Sequence, residues 1–228
     1  MMKAIIITGA NRGLGKALVD IALKDENAII ISLSRSLHKE HKSIKSNKLF
    51  FLKTDLSKPF SDSIFETIHQ KTHPKGVFYF FNNASTILPI KKIGDFKELD
   101  IETSIDVNVR YPVNLINSLL NKFPKNKIIL VNISSGAINN SIQFWSLYSA
   151  AKAYMDLFFR VMKEENKDNK NISIYSIDPG TLDTGMQQNI RDNTFPNQDY
   201  FKSLKEDNKL IKPNDSALRI FNEINYKI

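Results

Sequence analysis

The sequence contains no cysteine at any of its 228 positions. Disulfide scaffolds, thiolate nucleophiles and cysteine-ligated metals are thereby excluded, and no metal site is expected. The absence suits a reducing compartment, so a cytoplasmic location is expected. No apolar run approaches the ~18 residues that a membrane-spanning helix requires, and no membrane association is expected. The chain runs at once into an apolar stretch at 4–7, so no signal peptide is expected. Acidic residues are outnumbered: 24 Asp and Glu against 32 Lys and Arg leave a formal net charge of +8. The lysines are scattered through polar turns, at 39, 42, 45 and 48, at 122, 125 and 127, and at 163, 167 and 170. They lack the interleaved aromatics of a single-strand-binding groove, so nucleic acid is not expected as a partner. A diffuse positive field that attracts an anionic ligand is compatible with the pattern.

What remains is the composition of one globular domain, 42% hydrophobic and 25% charged. Short apolar runs alternate with helical spacing, which predicts an α/β fold built on a doubly wound parallel sheet with right-handed crossovers. Six strands are predicted at about 3–8, 28–33, 48–52, 77–81, 127–133 and 172–177. Helices are predicted at about 14–24, 60–72 (ended by His73-Pro74), 98–122, 147–165 and 213–224, with Pro112 kinking the third. A long loop with short helices fills the interval before the last helix. Ligands of such sheets bind at the carboxyl ends of the strands, so those ends were read for chemistry.

Glycine is scarce, eight residues in all, and three of them fall in Thr8-Gly9-Ala10-Asn11-Arg12-Gly13-Leu14-Gly15. Strand, glycine turn and helix together can hold the phosphates of a dinucleotide: the turn lets backbone approach the anion, and the helix start offers free N–H groups. A tight turn without ligand is the alternative. About twenty residues on, after the second strand, stands Ser34-Arg35-Ser36, with no acid to meet a ribose 2′-hydroxyl. Arg35 and Arg12 suit a 2′-phosphate instead, which favours NADPH over NADH; solvated surface charge is the alternative. After the third strand, Asp55 beside Leu56 is placed either to accept from an adenine amino group or to close an Asx turn.

After the fifth strand comes Asn132-Ile133-Ser134-Ser135-Gly136, and further on Tyr148-Ser149-Ala150-Ala151-Lys152. On a helix Tyr148 and Lys152 are i and i+4 and share a face. Carbonyl reduction needs a proton donor beside a hydride donor. A free tyrosine ionises near ~10; a neighbouring ammonium and an oxidised nicotinamide would lower that value. Ser135 could hold the carbonyl oxygen. Phe144, Trp145, Met186 and Phe195, with residues 85–88 and Ala137, are candidates for the substrate wall; packing of Phe144 and Trp145 against a helix is the alternative. The polar stretch 196–208, within a substrate loop at about 181–212, is expected to form a mobile lid.

On these residues the chain resembles the short-chain dehydrogenase/reductase family, over nearly its whole length. Thr8-Gly9-x-x-x-Gly13-x-Gly15 matches the family's cofactor turn, and Asn82-Asn83-Ala84 its fourth-strand motif. Asn108, Ser135, Tyr148 and Lys152 match its tetrad; Pro179-Gly180 with Thr184 matches the segment at the nicotinamide carboxamide. Within the family, Tyr148–Lys152 and 179–187 look closest to the sepiapterin reductase and bacterial benzil reductase branch. The resemblance implies a single Rossmann domain over 1–228 and an NADP-dependent reductase of ketones or dicarbonyls with Tyr148 as general acid. It implies that Asn108, Ser135, Tyr148 and Lys152 are catalytic, Asn108 holding a relay water. Cofactor contacts are implied at Gly9, Asn11, Arg12, Gly13, Leu14, Gly15, Ser34, Arg35, Asp55, Leu56, Asn83, Ala84, Tyr148, Lys152, Pro179, Gly180, Leu182 and Thr184. A homodimer through the helices at 98–122 and 147–165 is implied as well. Two departures stand out: Ser85 replaces the family's usual glycine, and the C-terminus leaves the seventh strand short or missing. A non-enzymatic cofactor sensor on the same fold is the competing class; it would not need all four tetrad residues.

Overall fold

The computed structural model describes residues 2–44, 47–72 and 76–227. The His73-Pro74 pair expected to end the second helix lies outside the described residues, as does Lys45. The six apolar runs are strands: β1 (Lys3–Thr8), β2 (Ala28–Ser34), β3 (Leu49–Lys53), β4 (Val77–Asn82), β5 (Lys127–Ile133) and β6 (Ile172–Ile177). They form one parallel sheet in the order β3-β2-β1-β4-β5-β6. Helices are α1 (Gly13–Ala22), α2 (Ser63–Lys71), α3 (Glu98–Ile105), α4 (Tyr111–Lys122), α5 (Ser146–Glu165), α6 (Gly185–Asp192), α7 (Gln198–Glu206) and α8 (Pro213–Glu223).

Successive residues of a strand face opposite sides, and here both sides are covered, so the central strands are apolar along most of their length. In β1, Ile5 and Ile7 enter the layer shared with α1 and α8; Ala4 and Ile6 enter the layer shared with α2, α4 and α5. In β4, Phe78 and Phe80 face the second layer and Phe81 the first, all fully buried. A third, smaller cluster gathers Trp145, Tyr148, Phe195 and Phe201 beyond the strand ends.

Pro112 does not break the helix expected at 98–122. A π turn at Asp106–Arg110 precedes it, with the Tyr111 N–H reaching back to the Asp106 carbonyl. The wider turn accommodates the proline ring, and α3 and α4 remain one rod. The sheet carries one polar row. Asn82, Asn132 and Ser176 are register partners across β4, β5 and β6. Asn82 donates to Asn132 (3.1 Å), Asn132 to Ser176 (3.0 Å), and Ser176 to Asp156 of α5 (2.8 Å).

The sheet ends at β6. After α8 the chain turns back, and Tyr226 enters the first apolar layer while its hydroxyl donates to the buried Asp25 at 2.6 Å. The stretch expected as a mobile polar lid is mostly helix. Its composition is polar, but Phe201 and Leu204 recur at helical spacing, and Phe201 is buried against Trp145, ring centroids 5.0 Å apart. The stretch is also closed at its base. Leu182 and Ile211 form a parallel bridge, with Asp183 N–H donating to Ile211 O and Ile211 N–H to Thr181 O, both 2.9 Å.

Candidate active site

The glycine turn is locked to the fourth strand. The Thr8 hydroxyl donates to Phe81 O (3.2 Å) and accepts from the N–H groups of Asn83 (3.0 Å) and Ala84 (2.9 Å). Asn83 Nδ2 donates to Thr8 O at 2.7 Å. The packing leaves no room for a side chain at two of the glycines: a Cβ on Gly15 would lie 2.2 Å from Gly9 O and 2.6 Å from Asn83 Nδ2. Gly9 itself has φ +66° and would meet Ala84 Cα at 3.0 Å. α1 begins directly from this turn with no side-chain cap and no acid in its first turn, so its leading N–H groups remain available to an anion.

A cleft of about 400 Å³ opens along the carboxyl ends of the strands. Every residue expected at the cofactor lines it except Gly180, which lines the adjoining cleft. Arg12 and Arg35 are exposed at its rim, and neither forms an ion pair among the described residues. Asn11 Nδ2 donates to the Ser36 hydroxyl (3.1 Å) and Ser34 to Ser36 O (2.9 Å), which ties this segment to the glycine turn. Asp55 does close an Asx turn, accepting from the N–H and hydroxyl of Ser57 at 3.1 and 2.8 Å. The Ser57 N–H, opposed by partial burial and helped by the Ser57 hydroxyl and Arg35, holds the Asp55 carboxyl below its usual range. A phosphate-rich dinucleotide fits this set: a side-chain-free cradle, an uncapped helix start and two unpaired guanidiniums.

α5 places Tyr148 and Lys152. Its buried stripe runs Tyr148, Ala151, Lys152, Met155, Phe159, Met162, and the first members project past the end of β5. Lys152 Nζ donates to Ile133 O at 2.8 Å and lies 5.8 Å from the Tyr148 ring centroid. An ammonium has three donors, so two more face the cleft that Lys152 lines. Burial lowers the Lys152 pKa to about 8, with Asp178 partly opposing. Burial raises that of Tyr148; a hydrogen bond with Ser135 lowers it and Asp178 raises it further. The expected depression by Lys152 belongs to the site with an oxidised nicotinamide in place. The ammonium points at a backbone carbonyl, and desolvation governs the phenol.

Asn108 is buried in the π turn and does not line either cleft. Its Oδ1 accepts from the Ser85 hydroxyl and the Thr86 N–H, both at 2.9 Å. Its Nδ2 donates to Thr86 O (2.9 Å) and Ser104 Oγ (3.3 Å). The Asn108 side chain is thereby committed to pinning the loop after β4. The Ser85 side chain that replaces glycine turns away from the turn and joins that anchor. Pro112, four residues on, has no N–H to offer the Asn108 carbonyl.

A second cleft of about 520 Å³ adjoins the first, and Tyr148, Ser134, Ile87 and Met186 line both. Ser135, Ala137 and Trp145 line the second. Phe144 and Phe195 line neither: Phe195 packs behind Trp145, and the Phe144 carbonyl accepts from Lys91 N–H. Residues 85–88 face the first cleft. Sequence reasoning missed Asn140, Asp178 and Gln187 in the second cleft. Asp178 had a signal, its position at the end of β6; Gln187 had none, because α6 reads as a polar helix.

Comparison with known proteins agrees with this layout. The family model for short chain dehydrogenase matches residues 3–194. A benzil reductase ((S)-benzoin forming) of Bacillus cereus is 31% identical over 233 residues, covering 97% of this chain and 93% of the relative. Sepiapterin reductase of Xenopus tropicalis is 32% identical over 146 residues, 61% of this chain and 55% of the relative. The crystal structure of the Saccharomyces cerevisiae short chain dehydrogenase/reductase YIR035C superposes with a TM-score of 0.82 at 26% identity, over 93% of this chain and 86% of that one. Sheet order, glycine turn and full-length match together make the chain a member of the short-chain dehydrogenase family of oxidoreductases.

Proposed function

We propose that the chain is an NADPH-dependent carbonyl reductase acting on ketones or dicarbonyls. The observation that carries this reading is the position of Tyr148. Its phenol stands where the two clefts meet, with the Ser135 hydroxyl in hydrogen-bond reach and the Lys152 ammonium on the cofactor side. The first cleft suits the dinucleotide and the second, walled by Trp145 and Phe201, suits a flat apolar substrate.

When bound, the reduced nicotinamide supplies the hydride to the carbonyl carbon. The chain's own residues manage the oxygen. Burial keeps Tyr148 protonated at neutral pH, so it donates its proton as the oxygen gains charge. Ser135 holds that oxygen against the phenol. Lys152, braced by Ile133 O, uses its remaining donors on the ribose side. Asn108 fixes the 85–86 loop, and its carbonyl stands next to the route by which a proton returns to Tyr148. Arg12 and Arg35 take the 2′-phosphate. The benzil reductases among the relatives favour a dicarbonyl substrate. Two copies are proposed to pair through α3 and α5.

Tyr148→Phe tests the reading. NADPH should still bind, and its oxidation in the presence of a diketone should fall by about 10³-fold or more, since a lost general acid commonly costs 10²–10⁴. Substantial residual turnover would remove Tyr148 from the role.

A further inference from the structure

Among the described residues, three buried polar side-chain groups without partners line the second cleft: the Ser134 hydroxyl just past β5, next to Ser135, and two donors on other elements, on Gln187 and Trp145. Gln187 is 3% exposed and Trp145 5% exposed, and both line that cleft. Gln187 Nε2 and the indole Nε1 of Trp145 are buried and have no hydrogen-bond partner. The orientation of the Gln187 amide is set by its neighbour. Arg191 Nη1 lies 3.3 Å from Oε1, and a guanidinium can only donate, so the oxygen faces Arg191 and the NH₂ group is left over. A buried unpaired donor costs about 1–3 kcal/mol in a folded chain. Chains retain such groups where something else satisfies them.

The reaction proposed above already uses Ser135 and Tyr148 for the oxygen of the reacting carbonyl. The two free donors lie in the same cleft but on other elements, Gln187 on α6 and Trp145 at the start of α5. They call for a second acceptor on the same substrate. We infer that Gln187 is the specificity-determining residue for a second, non-reacting oxygen, and that the substrate class is a ketone carrying an adjacent acceptor, a 1,2-dicarbonyl. Gln187 Nε2 receives that oxygen and the Trp145 indole supports it from the aromatic side. A mono-ketone leaves both donors unpaired, and a site built to bond an oxygen discriminates against the analogue that lacks it. This inference rests on the carbonyl-reductase reading.

The test uses 1-phenylpropane-1,2-dione against propiophenone and phenylacetone, which share its skeleton and lack one oxygen each. Binding is followed in the NADP⁺-loaded chain by quenching of Trp145, the sole tryptophan of the sequence, and turnover by NADPH oxidation. Gln187→Glu keeps an oxygen toward Arg191 and replaces the donor with an acceptor. It should raise Kd and KM for the dione by about tenfold or more, as expected for a lost bond to a buried donor, and leave both mono-ketones nearly unchanged. Gln187→Met, of similar length without an N–H, should do the same, so a folding defect in one variant leaves the other to decide. Equal losses for dione and mono-ketones, no change in either, or a wild-type chain that binds all three alike would overturn the assignment. Tight, Gln187-dependent binding of the dione without NADPH oxidation would instead overturn the reductase reading and leave the second-oxygen site standing.

Discussion

Lys152 is enclosed, makes one hydrogen bond to Ile133 O, and is held at about 8 against an ordinary value of 10.5. Unfolding therefore takes up a proton between those two values, and stability rises with pH across that window. Folding costs about 3 kcal/mol more with Lys152 charged than with it neutral. Urea titrations at pH 7.5 and 10 should show the wild-type chain gaining stability relative to Lys152→Met; parallel profiles would contradict it. Arg35 is the counterpart at the cofactor end, exposed and without an ion pair. Arg35→Ala should raise KM for NADPH by about 10–100-fold, the range for charge-assisted bonds to phosphate, and hardly move that for NADH. Equal changes would mean the guanidinium is simply solvated. At this scale the sequence placed side chains but not their partners. Tyr148 and Lys152 share a helix face by spacing alone, but spacing did not say that Lys152 turns to a carbonyl. Nor did it say that the Asn108 amide is consumed by Ser85 and Thr86.

Among the elements, β1, β5 and β6 begin and end at the predicted residues; β1 and β5 are buried along nearly their whole length, and the edge strand β6 keeps enough apolar residues, Ile172, Ile174 and Ile177, to mark its bounds. α6 and α7 were harder to read. Their polar residues outnumber their apolar anchors, the buried Ile190 and Phe201 with Met186 and Leu204 partly buried beside them. The π turn before Pro112 left no signal beyond the proline itself, since its energy depends on how α3 and α4 pack. The polar row across β4, β5 and β6 reads in sequence as three unrelated strand-end residues; only the register makes it continuous. Asn132 is its centre and is wholly buried. Asn132→Leu should lower stability by about 1–3 kcal/mol, because it strands the buried Asn82 amide away from water, whereas the exposed Ser176 hydroxyl keeps Asp156 as its acceptor. A change below about 0.5 kcal/mol, the ordinary scatter of surface substitutions, would show that the row is dispensable.

For the whole molecule, the outer surface of the α3–α5 pair is unusually apolar. Tyr154, Leu157 and Val161 recur at helical spacing on α5 and are 50%, 53% and 47% exposed; Ile101 and Ile105 add to them from α3. A stripe of that kind is the surface a second copy would cover. Leu157→Glu should convert a dimer into a monomer by light scattering while the far-UV spectrum stays unchanged; a wild-type chain that is monomeric at micromolar concentration would remove the proposal. The sequence located these helices but not their outward apolar face, because the same spacing serves the buried stripe beginning at Tyr148.

The bridge between Leu182 and Ile211 brings the two ends of the α6–α7 segment side by side. Everything between them, including Gln187 and Phe201, leaves and re-enters the domain through one narrow neck. The segment is therefore a cassette: its length and contents can diverge, or be grafted from a relative, without disturbing a single strand of the sheet. Substrate choice can then drift in a lineage through the residues beyond Asn189, while Thr184, Met186 and Asn189, which also line the first cleft, stay with Tyr148 as they are.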